Sequence, residues 1–313
     1  MIEIFYFDQT VKRAQIHELE HLKGKKVWID IINLSKEEAD LLGTLFNLHP
    51  LTIEDLLKAN CRIKVEEFND YMISVAYGIV KNGNFELVEV DTVLGEHFII
   101  TSHPTEISAC AELKTSPDKL DGLFKKGVDF IFHHILDKEI DNYFSVLESI
   151  DEELEEIEEK VTDSPSQELL KSILKLKKHI IFIKKVAIPQ REKISFLAKN
   201  EHKYITKKAT PYFRDVYDHA VRVADTIENY REAISNTFEI YMSSISNNMD
   251  RVMKNLSLIA TIALPFTVVS SIYGTNFQFL PGAGHPYGFF FMLGFMACLS
   301  IALMYMFKNR HLF

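Results

Sequence analysis

The chain is poor in the residues that build disulfide-stapled or zinc-stapled folds. Its 313 residues include three cysteines and one tryptophan. Cys61, Cys110 and Cys298 stand too far apart for a zinc site or a disulfide framework. The 44 acidic and 35 basic side chains give a formal net charge of −9 without a basic stripe, so nucleic acid is not expected as a partner. This composition is typical of a reduced intracellular protein long enough for two domains.

Charge is absent from two long stretches near the C-terminus. Residues 256–274 and 289–307 contain no Asp, Glu, Lys or Arg. Each stretch approaches the roughly 20 apolar residues with which a helix crosses a bilayer. The alternative is a pair of buried helices in a soluble core, but the loop between them also lacks charge. The sequence therefore predicts two transmembrane helices.

Basic residues are also absent from the loop 275–288, whereas they flank both apolar stretches. Arg251 and Lys254 precede the first stretch, and a short basic tail, 308–313 with Lys308 and Arg310, follows the second. The positive-inside rule therefore places both termini in the cytoplasm and the loop outside a cell (inner) membrane. The first residues lack the pattern of a signal peptide.

Residues 1–128 show the pattern of a small cytoplasmic α/β domain. Strands are predicted where β-branched and aromatic residues cluster: Ile2–Phe7, Lys26–Ile32, Tyr71–Val80, Phe85–Val90 and His97–Thr101. Asn82-Gly83 predicts a hairpin turn, Ser35 with Glu38 predicts a capping box, and Thr52 is expected to open a second helix. The region has no phosphate loop or nucleophile elbow. His49, His133 and His134 are interpreted as structural or solvent-facing residues, because no further ligand lies at helical spacing.

Residues 129–210 are predicted to form an antiparallel helical hairpin, because apolar residues recur at steps of three and four. One series runs from Leu147 to Val161 and the other from Leu169 to Ala187. Residues 137–163 contain twelve acidic and two basic side chains, and residues 171–208 contain twelve basic and two acidic. The hairpin would thus lay an acidic helix beside a basic one, with most of these charges on solvated faces.

The third helical segment, 211–255, has no proline or glycine after Pro211. Its stripe at steps of three and four begins apolar and becomes polar toward the membrane: Val216, Ala220, Val223, Ile227, Tyr230, Ile234, Thr237, Tyr241, Ser244 and Asn248. This pattern favours a stalk helix that packs against copies of itself around a polar passage. Because two spans cannot enclose a pore, the passage requires a ring of subunits.

Several motifs of the chain resemble the CorA family of magnesium transporters. The first span ends in Tyr273–Phe277, YGTNF, which is similar to the family's YGMNF signature. His49–Asp55 and Arg62–Glu66 resemble two further family segments, and Pro211–His219 resembles the start of the family's stalk helix. The match extends from about residue 45 to the basic tail. The order and spacing of the motifs make it more specific than the tripeptide alone.

The resemblance implies a funnel-shaped homopentamer with an α/β cytoplasmic domain, a long helical stalk and two C-terminal transmembrane helices. The selectivity filter would be Gly274, Thr275 and Asn276. A ring of neutral amides can bind the water shell that Mg²⁺ gives up reluctantly; the structural alternative for Asn276 is a helix cap. The matching pore-lining positions in the first span and just before it are Asp250, Met253, Leu256, Leu264, Thr267 and Ser271.

The resemblance also implies regulation by cytoplasmic Mg²⁺, which would be both the transported and the regulatory ion. The matching sensor positions are Glu54, Asp55 and Asp215. Carboxylates that meet between subunits repel one another unless a cation neutralises them, so loss of Mg²⁺ would loosen the interface and open the pore. Each could instead be an ordinary surface or helix-terminal carboxylate.

Two departures from the family pattern leave the transported ion open. Thr275 stands where the signature has Met, and the loop after it has no carboxylate. His285 is the one candidate zinc ligand in that loop. The sequence favours Mg²⁺, with Co²⁺ and Ni²⁺ also carried. The alternative is a Zn²⁺ transporter of the ZntB type, for which proton coupling stays open. A membrane-anchored scaffold or enzyme is a further alternative, although no catalytic set is evident.

Overall fold

The computed structural model describes residues 1–22, 24–58, 60–82, 84–163, 165–276, 278, 280–282 and 284–309. The chain divides into two compact units, Met1–Phe238 and Glu239–Phe313. The helix that runs from Thr210 to Tyr273 contributes to both units.

The first unit contains one seven-stranded sheet with the order β2-β1-β3-β7-β6-β5-β4. The strands are β1 (Ile2–Asp8), β2 (Thr10–Ala14), β3 (Val27–Ile32), β4 (Lys64–Glu67), β5 (Tyr71–Asn82), β6 (Asn84–Gly95) and β7 (Phe98–His103). β3 and β7 are parallel, and the other neighbours are antiparallel. β5 and β6 pair from Tyr71↔Gly95 to Asn82↔Asn84, which confirms the predicted hairpin, although Gly83 itself lies outside the described residues.

Eight α-helices are described: α1 (Lys36–Leu45), α2 (Pro50–Leu57), α3 (Ser108–Thr115), α4 (Pro117–Lys126), α5 (Val128–Asp163), α6 (Gln167–Lys199), α7 (Thr210–Tyr273) and α8 (Gly288–Asn309). A 3-10 helix covers Ile16–Leu22. The predicted capping box of Ser35 and Glu38 is confirmed at the start of α1. The prediction that Thr52 opens α2 is wrong. The cap is His49, whose ring nitrogen accepts the N–H of Leu51, and Thr52 lies buried within the helix.

Alternate residues of each strand face two different helical layers. On one face, Ile29, Ile31 and Ile73 share an apolar cluster with Leu42 of α1 and Leu56 of α2. On the other face, Trp28 stacks on Phe5, and its indole N–H donates to Thr101 Oγ1 at 3.1 Å. α5 packs along β5, β6 and β7, while α3 and α4 pack on α5. The first unit is therefore a three-layer α/β arrangement.

α5, α6 and the first part of α7 pack together within one chain. The predicted seams are confirmed, because Leu147, Ile150, Ile173 and Ile183 are buried. The stripe on α7 gives a different result from the prediction. Its members from Val216 to Ile234, and also Thr237, are buried in the single chain. The exception is Tyr230, which is partly exposed.

The contacts of this part of α7 identify what covers the stripe. Phe213 packs its ring against Phe132 of α5, Thr237 donates a hydrogen bond to Glu158 of α5, and Lys184 of α6 pairs with Glu228. The prediction that this part of the stripe packs against other copies is therefore wrong. A heptad-like spacing predicts that a helical face is buried, but it does not tell whether the partner helix belongs to the same chain.

Side chains of α6 form hydrogen bonds with backbone groups of β5 where this strand extends beyond its neighbour β4. β4 pairs with β5 only as far as Val75. At Tyr77 the amide of Gln190 takes the place of a strand, since it accepts the backbone N–H at 2.9 Å and donates to the carbonyl at 3.0 Å. Lys193 donates to the carbonyl of Val75 at 3.3 Å. These bonds satisfy buried backbone groups that would otherwise be costly to leave unpaired.

Gly78 leaves space on β5 for the buried carboxylate of Glu139 from α5. A Cβ atom at position 78 would collide with this carboxylate. Burial is also the main cause that raises the pKa of Glu139 to about 7. We expect Gly78→Ala to lower the stability of the purified protein by about 1–3 kcal/mol, as overpacking does in other cores. The measurement is the thermal unfolding temperature in detergent.

Gly122→Ala is the matched control, because Gly122 lies within α4 and an added Cβ there would meet no atom within 4 Å. Alanine in a helix is more stable than glycine by roughly 0.5–1 kcal/mol, so this variant should melt at or slightly above the wild-type temperature. Equal melting temperatures for Gly78→Ala and wild type would show that Glu139 can leave its position without cost.

Candidate ion pathway and metal-binding cluster

The apolar part of α7 and most of the described part of α8 are exposed in the single chain. Both helices contain a stretch long and apolar enough to cross a membrane. None of this stretch is buried in α7 and only 6% is buried in α8, so they do not form a soluble core. Leu264 and Phe291, for example, are 67% and 72% exposed. Surfaces of this kind are stable only against lipid or other protein chains.

The predicted pore-lining residues share one face of α7. At 3.6 residues per turn, the six positions fall within an arc of about 120°. Met253, Leu256 and Leu264 are exposed, as are Asp250, Thr267 and Ser271. Thr267 donates its hydroxyl to the carbonyl of Ala263 at 3.0 Å, which leaves its oxygen able to accept. The face is thus apolar in its middle and polar toward both ends.

The predicted filter follows the last turn of α7. The N–H of Gly274 donates to the carbonyl of Ser270 at 2.8 Å, and a Cβ on Gly274 would lie 3.1 Å from that oxygen. Both the N–H and the hydroxyl of Thr275 donate to the carbonyl of Ile272. Thr275 therefore caps the last turn of α7, which ends at Tyr273. Asn276 follows as an exposed residue outside regular structure. Phe277, the last residue of the signature, lies outside the described residues.

His285 lies in the loop between α7 and α8, beside a cavity of about 530 Å³. Its Nδ1 accepts the N–H of Tyr287, and its ring packs against Tyr287 and Phe291. The cavity is otherwise lined mainly by apolar residues such as Ile272, Met292 and Phe295. Of the predicted basic tail, Arg310 lies outside the described residues, and Lys308 is described only as part of the helix α8.

A cluster of three potential metal ligands joins α5 to α7. Asp137 and Asp141 lie one turn apart on α5, and His219 lies on α7. One ligand atom from each residue can be chosen so that all three lie within 4.8 Å of one another. His219 Nδ1 is 3.7 Å from Asp137 Oδ1 and 3.6 Å from Asp141 Oδ1. The arrangement can hold a divalent cation.

The charges around this cluster favour a bound cation. Burial raises the pKa of Asp137, and the carboxylates of Asp141 and Asp215 also raise it, whereas His133 and His219 lower it. Asp215, a predicted sensor residue, thus acts on the same group. A divalent cation would relieve this repulsion, because opposite charge favours the ionised form of a carboxylate.

The other two predicted sensor residues lie on α2, in the helical layer on one face of the sheet. Glu54 is exposed. Asp55 is about 20% exposed and pairs with Lys64 Nζ at 2.7 Å. The structure of one chain therefore brings Asp215 close to Asp137, while the meeting of all three sensor residues between subunits stays a prediction.

The two potential metal ligands on α5 were not predicted from the sequence. Asp137 and Asp141 stand among twelve acidic residues, most of which were interpreted as a solvated face. Their spacing of four, with a buried apolar residue directly before each (Leu136 and Ile140), is the signal that could have distinguished them. A second buried group, Asp30, His103 and Cys110, also has metal-ligating atoms close together. There Lys114 Nζ lies 2.5 Å from Asp30 Oδ2 and already supplies the positive charge.

The first unit has an α/β fold, and α7 and α8 each contain an exposed apolar stretch long enough to cross a membrane. A family model described as "CorA-like Mg2+ transporter protein" matches residues 23–309. The chain therefore belongs to this family, whose members transport divalent cations across membranes. The resemblance seen in the motifs is confirmed, and a transporter family is not an enzyme class.

Individual relatives match over nearly the whole chain. The chain is 32% identical over 288 residues to the cobalt/magnesium transport protein CorA of Thermotoga maritima. The aligned region covers 90% of this chain and 82% of that protein. It is also 30% identical over 306 residues to the putative metal ion transporter YfjQ of Bacillus subtilis. That alignment covers 96% of this chain and 94% of the relative. The CorA magnesium transporter of Methanocaldococcus jannaschii superimposes with a TM-score of 0.87 at 24% identity, over 98% of this chain and 97% of that one, which establishes the shared fold.

Proposed function

We propose that this protein forms a homopentameric channel through which Mg²⁺, and also Co²⁺ and Ni²⁺, enters the cytoplasm. The observation that carries the proposal is the single face of α7 on which polar positions flank an apolar middle. One chain leaves this face exposed, and a ring of five would place five copies of it around one axis. Residues 256–274 and 289–307 would cross the membrane, with 275–288 outside and both termini in the cytoplasm.

The proposed pathway begins at the outer mouth. Five Asn276 side chains would accept hydrogen bonds from the waters around Mg²⁺, so that selection does not require removal of the tightly held water shell. Thr267 and Ser271 continue a polar surface below the mouth. Leu264 and Met253 supply apolar constrictions that can close by excluding water, and the Asp250 ring would concentrate cations at the cytoplasmic end.

The membrane potential supplies sufficient driving force for this pathway. It contributes about 2.3 kcal/mol per charge for each 100 mV, hence about 4.6 kcal/mol for a divalent ion. The sequence contains no Walker motif for ATP. Neither apolar stretch contains a carboxylate, lysine or histidine that could relay protons. Passive influx therefore requires the fewest additional groups.

Closure of the pore by cytoplasmic Mg²⁺ would involve carboxylates of the first unit. Asp137, Asp141 and His219 form a cluster within each chain, and Asp215 lies close enough to influence Asp137. We place Glu54 and Asp55 of a neighbouring subunit opposite Asp215. Mg²⁺ bound between the two sets would stabilise the closed ring, because it binds that state better than the open one.

Reconstituted liposomes test the proposed transport. A mass in mild detergent near five times 36.2 kDa is the first check of the preparation. Liposomes with the protein should then take up Mg²⁺ when an inside-negative potential is applied, and uptake should stop when the potential is collapsed. Uptake of Mg²⁺ that ignores the potential would contradict the passive mechanism.

The same liposomes distinguish the zinc alternative. Imidazole binds Zn²⁺ better than Mg²⁺, and His285 is the observation that favours this reading. Its Nδ1 is already engaged with the N–H of Tyr287, so only Nε2 remains for a metal. Uptake of Zn²⁺ without Mg²⁺, lost in His285→Ala, would assign the protein to a Zn²⁺ transporter of the ZntB type. A pH gradient applied in place of the potential would then reveal proton coupling.

A further inference from the structure

A second group of carboxylates lines a cavity within the α/β part of the first unit. The cavity, of about 270 Å³, lies against β6 and β7 near the end of α2. Glu89 and Asp91 of β6 both line it, as does Ser102 of β7. Because strand residues two apart point to the same side, Glu89 and Asp91 face the cavity together. Ser102 stands directly opposite Asp91 in the strand register.

Glu89 is held in place by several donors. Its carboxylate accepts the backbone N–H of Asn60 at 2.5 Å, the N–H of Cys61 at 3.0 Å and the hydroxyl of Tyr77 at 3.1 Å. Asn60 adopts a positive φ of 66°, a conformation that few residues take up. The chain thus uses an unusual turn to aim two N–H groups at one buried carboxylate, which fixes the carboxylate in one orientation.

Asp91 is buried but not paired. It is 5% exposed, and its Oδ1 has no hydrogen-bond partner. Among the residues that the structure describes, no lysine, arginine or histidine nitrogen lies within 4.0 Å of Asp91 or Glu89. The nearby buried ammonium of Lys193 instead donates to Ser74 Oγ and the carbonyl of Val75. An unpaired buried carboxylate is costly unless it is neutralised by a proton or a cation.

We propose that the Glu89–Asp91 cavity binds a partly hydrated Mg²⁺ or similar divalent cation within each subunit. Mg²⁺ commonly binds through one or two carboxylates and keeps several of its waters, which fits two carboxylates, one hydroxyl and room for water. The site is separate from the Asp137, Asp141 and His219 cluster. It needs neither a neighbouring subunit nor an open pore, so it does not rest on the proposed transport.

The electrostatic environment of Asp91 agrees with this geometry. Burial, then the charges of Glu89 and Asp55, raises the pKa of Asp91, while Lys193 and Lys64 lower it. A divalent cation in the cavity would offset the effect of burial, because opposite charge favours the ionised form of a carboxylate.

Counting bound ions in the full-length protein tests the proposal. Mn²⁺ serves as the probe, because its free form is measured directly by electron paramagnetic resonance and Mg²⁺ can be added as competitor. We expect Asp91→Asn to bind one Mn²⁺ fewer per chain than the wild type. The matched control is Asp118→Asn, which changes an exposed carboxylate in the first turn of α4 and should leave the number unchanged.

Two further arms keep the result interpretable. In an Asp215→Asn background, which weakens the other proposed site, Asp91→Asn should still remove one ion per chain. An unchanged number of Mn²⁺ ions in folded Asp91→Asn would overturn the proposal. If that variant does not fold, crystals of the wild type soaked in Mn²⁺ decide, because an anomalous peak between Glu89 and Asp91 supports the site and its absence refutes it.

Discussion

Asn276→Ala should abolish Mg²⁺ uptake into liposomes while leaving the size of the oligomer unchanged. The exposed amide follows the last turn of α7, so its removal alters no described contact. In the proposed ring, five amides would be lost at once from around one hydrated ion. With ~1 kcal/mol for each hydrogen bond, the loss exceeds what a tenfold fall in rate requires. We expect the initial rate of potential-driven uptake to fall by at least about tenfold.

The neighbouring position provides the matched control for Asn276. Thr275→Met lies in the same turn and restores the family's usual residue, so it should retain uptake. Because Thr275 donates its hydroxyl to the carbonyl of Ile272, this variant also tests whether that bond is needed to hold the mouth. Full uptake by Asn276→Ala would show that the amide ring is not the filter.

The double variant Asp137→Asn/Asp141→Asn should greatly weaken the closure of the proposed pore by internal Mg²⁺. These residues supply two of the three atoms of the cluster, and the amides carry no charge to hold a cation. Coupling energies between sites are typically 1–3 kcal/mol, so the internal Mg²⁺ needed for half-closure should rise by roughly 5- to 150-fold. The measurement is the rate of uptake into liposomes preloaded with graded Mg²⁺.

Glu152→Gln is the control for that experiment. Glu152 is an exposed acidic residue of the same helix and lies away from the cluster. It removes one negative charge from α5 without removing a ligand. If Glu152→Gln shifted closure as far as the double variant, the effect would belong to the general charge of α5, and the cluster would not be the sensor.

The sequence predicted the features that depend on hydrophobic pattern. Two long uncharged stretches are uncommon in soluble proteins, and both became exposed apolar helices. The long β5–β6 hairpin was also predicted, because β-branched and aromatic residues dominate both strands. β2 and β4 were not predicted. Their sequences, TVKRA and KVEE, are short and charged, and pairing with a neighbouring strand makes them extended.

Features that depend on tertiary contacts could not be read from the sequence. Most of the α7 stripe between Val216 and Thr237 is a buried face, but its partners proved to be α5 and α6. Asp137 and His219 are 82 positions apart in sequence, and only the parallel packing of α5 and α7 brings them together. The predicted pore face, by contrast, required only helical periodicity and the family resemblance, and the proposed pentamer remains its test.

The way the sheet ends has a consequence for the proposed pentamer. Unpaired strand edges readily recruit strands from other molecules and lead to aggregation. Here β2 presents Lys12 and Arg13 at one edge, and β4 at the other is only four residues long and carries three charges. Beyond β4, the amide of Gln190 forms hydrogen bonds with the backbone N–H and carbonyl of Tyr77. In the proposed pentamer, five such sheets would have edges poorly suited to recruiting a strand from a neighbour, which disfavours growth into a fibre.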